Sequence, residues 1–179
     1  MHLQGNQIFL RSVQSSDSEI LYKWENDKSI WKVSGTKKPF TKKEIQDFIL
    51  NQKDIYLDKQ LRLMICLSPI RPLPDSPIQK QKRGNRERET VGCIDLFNFN
   101  ESNLTAGIGI LVEKKHRKNG YASDALSLLI KYSFEILCLN ELCCNISENN
   151  KASIKLFQKN KFKIFDKKNG VCFFQLANK

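Results

Sequence analysis

Two histidines in 179 residues, and no C-x-x-C pair among six cysteines, leave no ligand set with the usual spacing of a structural zinc site. The cysteines are Cys66, Cys93, Cys138, Cys143, Cys144 and Cys172. In a cytosolic chain they are expected to be reduced rather than bridged. Cys143 and Cys144 are adjacent, so on a strand they face opposite sides of a sheet, which argues against joint ligation. No apolar run nears the roughly 18 residues that cross a bilayer. The opening Met1-His2-Leu3-Gln4-Gly5-Asn6-Gln7 lacks the basic start and apolar stretch of a signal peptide. The expectation is a cytoplasmic protein with no membrane partner. Neither G-x-x-x-x-G-K-S/T nor G-x-G-x-x-G occurs, which speaks against ATP-hydrolysing and nicotinamide-dependent enzymes.

What is present is positive charge: 30 Lys and Arg against 19 Asp and Glu, a formal net of +11. Such a balance attracts anions, whether nucleic acid, a membrane surface or a phosphate-rich cofactor, and it also describes a plain solvated surface. The length suits one domain over residues 1–179 with a sizeable core.

Hydrophobic periodicity gives a mixed α/β order with about seven strands and four helices. Strands are expected at Ile8–Val13, Gln60–Leu67, Val91–Phe99, Thr105–Val112, Glu141–Ser147, Phe162–Asp166 and Val171–Leu176. Helices are expected at Asp17–Asn26 with Ser16 as cap, from the capping box Thr41-Lys42-Lys43-Glu44 to Leu50, at Tyr121–Leu137, and at Lys151–Lys159. Lys168-Asn169-Gly170 is a tight-turn signal. Ser68–Thr90 breaks all periodicity with Pro69, Pro72, Pro74 and Pro77 and the bases Lys80, Lys82, Arg83, Arg86 and Arg88. It reads as a long mobile hairpin loop, an insertion or a functional element. Its lack of aromatics makes it a poor RNA-stacking surface, so a nucleic-acid partner is not expected.

The informative stretch runs from Gly107 to Leu129. A strand feeds Arg117-Lys118-Asn119-Gly120-Tyr121-Ala122, and a long helix follows at once. A turn entering a helix N-terminus leaves main-chain N–H groups unpaired, and with the helix dipole they form an anion site. Gly120 permits the turn and close approach of a ligand, and Arg117 and Lys118 add charge where phosphates would lie. An ordinary strand-turn-helix connection would use the same glycine. Gly107 and Gly109, inside the preceding strand, mark either a bulge that exposes N–H groups or a flat strand beneath bulky neighbours.

Arg117-x-x-Gly120-x-Ala122 resembles the Q/R-x-x-G-x-G/A motif of the GNAT superfamily of N-acetyltransferases. Asn150-Lys151-Ala152-Ser153-Ile154-Lys155-Leu156-Phe157-Gln158-Lys159-Asn160-Lys161-Phe162 resembles its next motif, roughly N-x-x-S/A-x-x-L-Y-x-K-x-G-F. The resemblance covers Ile8 to Leu176 apart from the Ser68–Thr90 loop, and is closest to the diamine/spermidine and ribosomal-protein branch. It implies a mostly antiparallel sheet splayed at the cofactor strand, acetyl-CoA as cosubstrate without a metal, and direct attack of an amine on the thioester. It places the pyrophosphate on Arg117, Lys118, Asn119, Gly120, Tyr121 and Ala122. The pantetheine arm lies beside Ile110, Leu111 and Val112 with Asn150 as a hydrogen-bond partner, and the Val112 N–H meets the oxyanion.

The catalytic candidates implied beside Val112 are Asp95, as proton acceptor through water, and Ser153, as proton donor to the thiolate. Glu113 is a second carboxylate for the first task. An exposed or paired strand carboxylate and a helix-surface or capping serine are the plainer roles. Phe157 stands where the family's tyrosine donor falls and has no hydroxyl. Lys161 replaces a glycine. The acceptor is a small primary amine such as a diamine, or a protein N-terminus or lysine; a non-catalytic relative that binds the cofactor is the further alternative. Polyamine enzymes of the branch use carboxylates near the first two helices, where this chain has Glu25, Asp27, Glu44 and Asp47 but also a lysine-rich Trp31–Pro39. Trp24 and Trp31 are candidates to wall the acceptor pocket. Dimers are common among similar proteins, so a homodimer is a possible assembly.

Overall fold

The computed structural model describes residues 1–29, 31, 36–68 and 89–178. The proline-rich basic segment, apart from its ends, lies outside the described residues, as does 32–35 of the lysine-rich segment.

Eight strands form one sheet: β1 (His2–Gln4), β2 (Ile8–Ser12), β3 (Leu61–Leu67), β4 (Thr90–Asn100), β5 (Thr105–Val112), β6 (Glu141–Ser147), β7 (Lys163–Lys168) and β8 (Val171–Ala177). Their spatial order is β1-β2-β3-β4-β5-β6-β8-β7. Every pairing is antiparallel except β5 with β6, which is parallel and spans three residue pairs, Thr105–Glu141 to Gly107–Cys143. Beyond Gly107 the two strands part. Among the described residues five α-helices accompany the sheet: α1 (Ser18–Glu25), α2 (Lys42–Leu50), α3 (Ile55–Asp58), α4 (Tyr121–Glu135) and α5 (Lys151–Lys159).

The seven expected strands are all present, and β1 is the added eighth. It is too short and too polar for an apolar pattern, and it exists because it pairs with β2, His2 opposite Arg11. The helix start also differs from expectation. Ser16 sits inside a 3-10 turn, Ser15–Asp17, and Asp17 rather than Ser16 precedes α1. Asp17 is 4% exposed because both its oxygens take Arg11 at 2.7 Å and one also accepts Gln14 N–H at 2.8 Å. The capping box of α2 is as read: Glu44 N–H donates to Thr41 Oγ1 at 3.1 Å and Thr41 N–H returns to Glu44 Oε2 at 2.7 Å. Asn169 and Gly170 take the left-handed conformations of a tight hairpin turn, at φ 52° and 75°.

Alternation divides the core in two. Ile8, Leu10, Leu63, Ile65, Ile94, Leu96 and Ile108 point to one face and meet Ala125, Leu126 and Leu129 of α4 and Phe157 of α5. Phe9, Met64, Cys66 and Cys93 point to the other and meet Leu21 and Trp24 of α1 and Ile45 and Ile49 of α2. Each fully buried aliphatic side chain contributes about 1.5–3 kcal/mol. The long stripe of α4 therefore fixes where its N-terminus falls, at the far end of β5.

Candidate active site

β5 carries the site. Glu113 N–H donates to Val91 C=O at 2.9 Å, which sets the phase of the β4–β5 ladder. Residues 107, 109 and 111 therefore exchange main-chain bonds with β4, and Ile108, Ile110 and Val112 turn N–H and C=O toward β6. From Ile108 onward β6 has left, so the main chain of Ile110 and Val112 is directed into the gap between the strands. Arg117 Nε donates to Val112 C=O at 2.9 Å and ties the following loop to the end of the strand.

That loop turns tightly. Lys118 (φ 67°) and Gly120 (φ 86°) are both left-handed. Gly120 caps α4, and its carbonyl accepts Ser123 N–H at 3.0 Å and Asp124 N–H at 3.1 Å. The amides of Tyr121 and Ala122 precede these first bonds and point out of the helix end. Asn119 spends its side chain on the loop, its Nδ2 donating to His116 C=O at 3.1 Å, which leaves its main chain for a ligand. A left-handed glycine, two outward amides and two basic residues match the shape and charge of a pyrophosphate.

Packing explains Gly107 but not Gly109. Pairing runs without a shift from Gly92 to Phe97, and the irregularity lies in β4 after Phe97, where Asn98 has φ 50°. A Cβ on Gly107 would come within 2.4 Å of the Phe97 ring, whereas one on Gly109 would meet that ring at an ordinary 3.5 Å. The flat-strand alternative is thus the observed one. Gly109 leaves open space on the face of α1 and α2.

On that face Asp95 is the cross-strand partner of both Gly109 and Arg62. Arg62 Nε donates to Asp95 Oδ1 at 2.7 Å and Nη2 to Oδ2 at 3.2 Å, while Nη1 reaches Glu25 Oε1 at 2.5 Å. The guanidinium also lies 5.3 Å from the Phe48 ring centroid. Burial works against the Arg62 charge, but the two carboxylates more than offset it and hold the guanidinium above its usual range. Glu113 takes a hydrogen bond from Lys23 at 2.9 Å, which holds its carboxyl below the usual range. Of the other acidic residues near the first helices, Glu44 is spent in its capping box and Asp27 Oδ1 accepts Ser29 N–H at 2.9 Å. Trp24, 4% exposed, packs in the core, and Trp31 Nε1 donates to Glu25 C=O at 2.8 Å.

Across the gap, Asn150 Oδ1 caps α5 by accepting Ser153 N–H at 3.1 Å, so its NH2 is the donor left for a ligand. The Ser153 hydroxyl sits half-buried on the first turn. Phe157, 2% exposed, packs edge-on against Phe162 with centroids 5.0 Å apart. Burial pushes the thiols of Cys93, Cys143 and Cys144 up, which unfits them as acyl-carrying nucleophiles. Asp124, Gln7 and Arg62 belong to this neighbourhood but carry no motif signature, since each is defined by partners distant in sequence.

The mixed sheet thus opens between β5 and β6 beside a glycine-capped basic loop. Residues 7–163 match the acetyltransferase (GNAT) domain family. The chain belongs to that family and is an acetyl-CoA-dependent N-acetyltransferase. Acetyltransferase PseH of Campylobacter jejuni is 24% identical over 154 residues, which are 86% of this chain and 82% of that one. An N-acetyltransferase 9-like protein of Caenorhabditis briggsae is 24% identical over 147 residues, 79% of this chain and 66% of that one, just under two thirds of its length. The fold also matches spermidine N-acetyltransferase from Vibrio cholerae, solved in complex with CoA and spermine, with a TM-score of 0.76 at 16% identity over 96% of this chain and 95% of that one.

Proposed function

We propose that this enzyme acetylates the primary amine of a small molecule by direct attack on acetyl-CoA. The observation that carries the reading is the gap between β5 and β6, closed at Gly107 and opening beside the Arg117–Ala122 loop. Main-chain amides of Asn119 to Ala122, with Arg117 and Lys118, hold the pyrophosphate. Ile110, Leu111 and Val112 line the pantetheine arm, and the Asn150 NH2 donates to it. The Val112 N–H stabilises the tetrahedral oxyanion. The C–N bond forms first, opening the carbonyl to that oxyanion; the attacking nitrogen gives up a proton, and collapse of the intermediate breaks the C–S bond, releasing a thiolate that gains one.

Asp95 serves as proton acceptor through water at the lone pairs that Arg62 leaves open, one on each oxygen. Glu113 is the second candidate, because it directly follows the cofactor strand and its carboxylate is engaged by Lys23. Ser153 supplies the proton to the thiolate, in place of the hydroxyl that Phe157 lacks. The acceptor enters over Gly109, where two carboxylates face one guanidinium and the local balance favours one ammonium group. With a net charge of +11 on the chain, a monoamine or short diamine fits this face better than a long polycation. The test is thiol release from acetyl-CoA across a panel of amines graded by length and charge. CoA binding without thiol release from any amine would reduce the chain to a cofactor binder.

A further inference from the structure

We propose that Gln7, in the turn between β1 and β2, is a further binding residue for the cofactor pyrophosphate, held in place by Asp124. The proposal rests on the reading of Arg117–Ala122 as the pyrophosphate loop given under the proposed function; the helix end alone does not carry it. Gln7 is far from that loop in sequence, yet its main chain is fixed against it from two sides. Asp124, in the first turn of α4, accepts Gln7 N–H at 2.9 Å and Ile8 N–H at 3.3 Å on the same oxygen. The Gln7 carbonyl accepts Ser68 N–H at 2.9 Å, from the end of β3. Gly5 N–H closes the turn on Ile8 C=O at 2.9 Å.

From this anchored position the Gln7 side chain reaches the loop. Its Nε2 lies 3.3 Å from where a Cβ on Gly120 would stand. No hydrogen-bond partner for that amide exists among the described residues. An exposed, uncharged donor pair thus overhangs the glycine around which the loop wraps. The placement of Asp124 makes sense on this reading. A carboxylate on the first turn of a helix would repel a phosphate bound there, but this one is turned onto the main-chain donors of Gln7 and Ile8. Its charge is engaged away from the loop, and the bond aligns Gln7 with Gly120. Asp124 is therefore a positioning residue and Gln7 the contact.

The test is titration of the intact chain with CoA and with dephospho-CoA, which keeps the pyrophosphate and lacks the ribose 3′-phosphate. Gln7→Glu, which sets a carboxylate against the phosphates, is expected to weaken both ligands about tenfold or more, and Gln7→Ala somewhat less. The ligand-free unfolding temperature should not move. Asp124→Ala should weaken CoA by a factor similar to Gln7→Ala, and the double variant by no more than the larger single effect. Equal CoA affinity for Gln7→Glu and the parent chain overturns the proposal. A loss seen with CoA but not with dephospho-CoA also overturns it, by moving the contact to the 3′-phosphate. Additive losses remove Asp124 from its role. If Asp124→Ala does not fold, the Gln7→Glu comparison still decides. Failure of the parent chain to bind CoA is a separate outcome, and it sinks the loop assignment itself.

Discussion

The two faces of β5 recognise charge in opposite ways. Toward β6 and the Arg117–Ala122 loop, the groups on offer are main-chain amides, arranged by a left-handed glycine and a helix end. Toward α1 and α2, the groups are side chains already paired with one another, Arg62 between Asp95 and Glu25 under the Phe48 ring. A main-chain site depends on a few small residues and survives wide change elsewhere. A side-chain site depends on partners from three separate segments. On the proposed reading, the donor half rests on local backbone geometry and the acceptor half on this chain's own side-chain pairs.

Breaking the side-chain face should cost most. Arg62→Ala leaves Asp95 and Glu25, each about a fifth exposed, facing each other without their common cation. Loss of about 3–5 kcal/mol is expected, by analogy with other interrupted buried pairs. Urea unfolding at neutral and acidic pH measures it. The deficit should shrink as pH falls, because protonation relieves the unpaired carboxylates. A loss below about 1 kcal/mol would rank the triad with solvent-exposed ion pairs and erase the contrast between the faces.

Breaking the main-chain face should instead cost binding. Gly120→Asp adds a Cβ beside Gln7 and a negative charge beside the phosphates, in a left-handed conformation that Asp accepts at modest cost. CoA affinity should fall about 100-fold, the product of lost contact and repulsion, and the rise in melting temperature with CoA should vanish. An undiminished rise would mean that the cofactor lies elsewhere. Gly109→Ala separates the faces more finely. The fold should tolerate it, since the nearest atom to a new Cβ is Phe97 at an ordinary 3.5 Å. Turnover with an active amine should drop about tenfold, the effect of a misplaced acceptor, while CoA affinity holds. Loss of CoA affinity instead would place the acceptor path on the other side of the strand.

The same contrast governs what could be read without coordinates. The turn and helix that carry the proposed donor site were legible because their determinants are local: Gly120 after Arg117, small Ala122, and the i, i+3, i+4 stripe of α4. The seven main strands followed from alternation. Three things were not legible. β1 forms only because β2 offers it an edge. Gly107 is a glycine because the Phe97 ring lies on it, and no local pattern distinguishes that from a bulge. Arg62 pairs across the sheet with Asp95, 33 residues away, and with Glu25, 37 residues away. Such pairs are set by register and helix packing, so the sequence allows an ion pair at Asp95 without naming its partners.

The smallest expected effect concerns a departure from the family pattern on the donor side. Lys161 stands where the resemblance has glycine, and it is left-handed at φ 69°. It ends α5 in a Schellman arrangement: Phe162 N–H donates to Phe157 C=O at 3.1 Å and Lys161 N–H to Gln158 C=O at 3.0 Å. The accompanying apolar contact is the edge-on packing of Phe157 and Phe162. Glycine suits this position because it lacks the Cβ that makes left-handed backbone costly, so Lys161→Gly should stabilise the chain by about 1 kcal/mol. Thermal unfolding measures the gain, and CoA affinity should not change, because the substitution relieves the turn without touching a donor. Phe157→Tyr is the informative companion: it restores the family's hydroxyl at a position 2% exposed. If burial against Phe162 keeps that hydroxyl from the thiolate, the variant loses stability and gains no rate, and Ser153 stays the donor. A gain in rate would return that role to position 157.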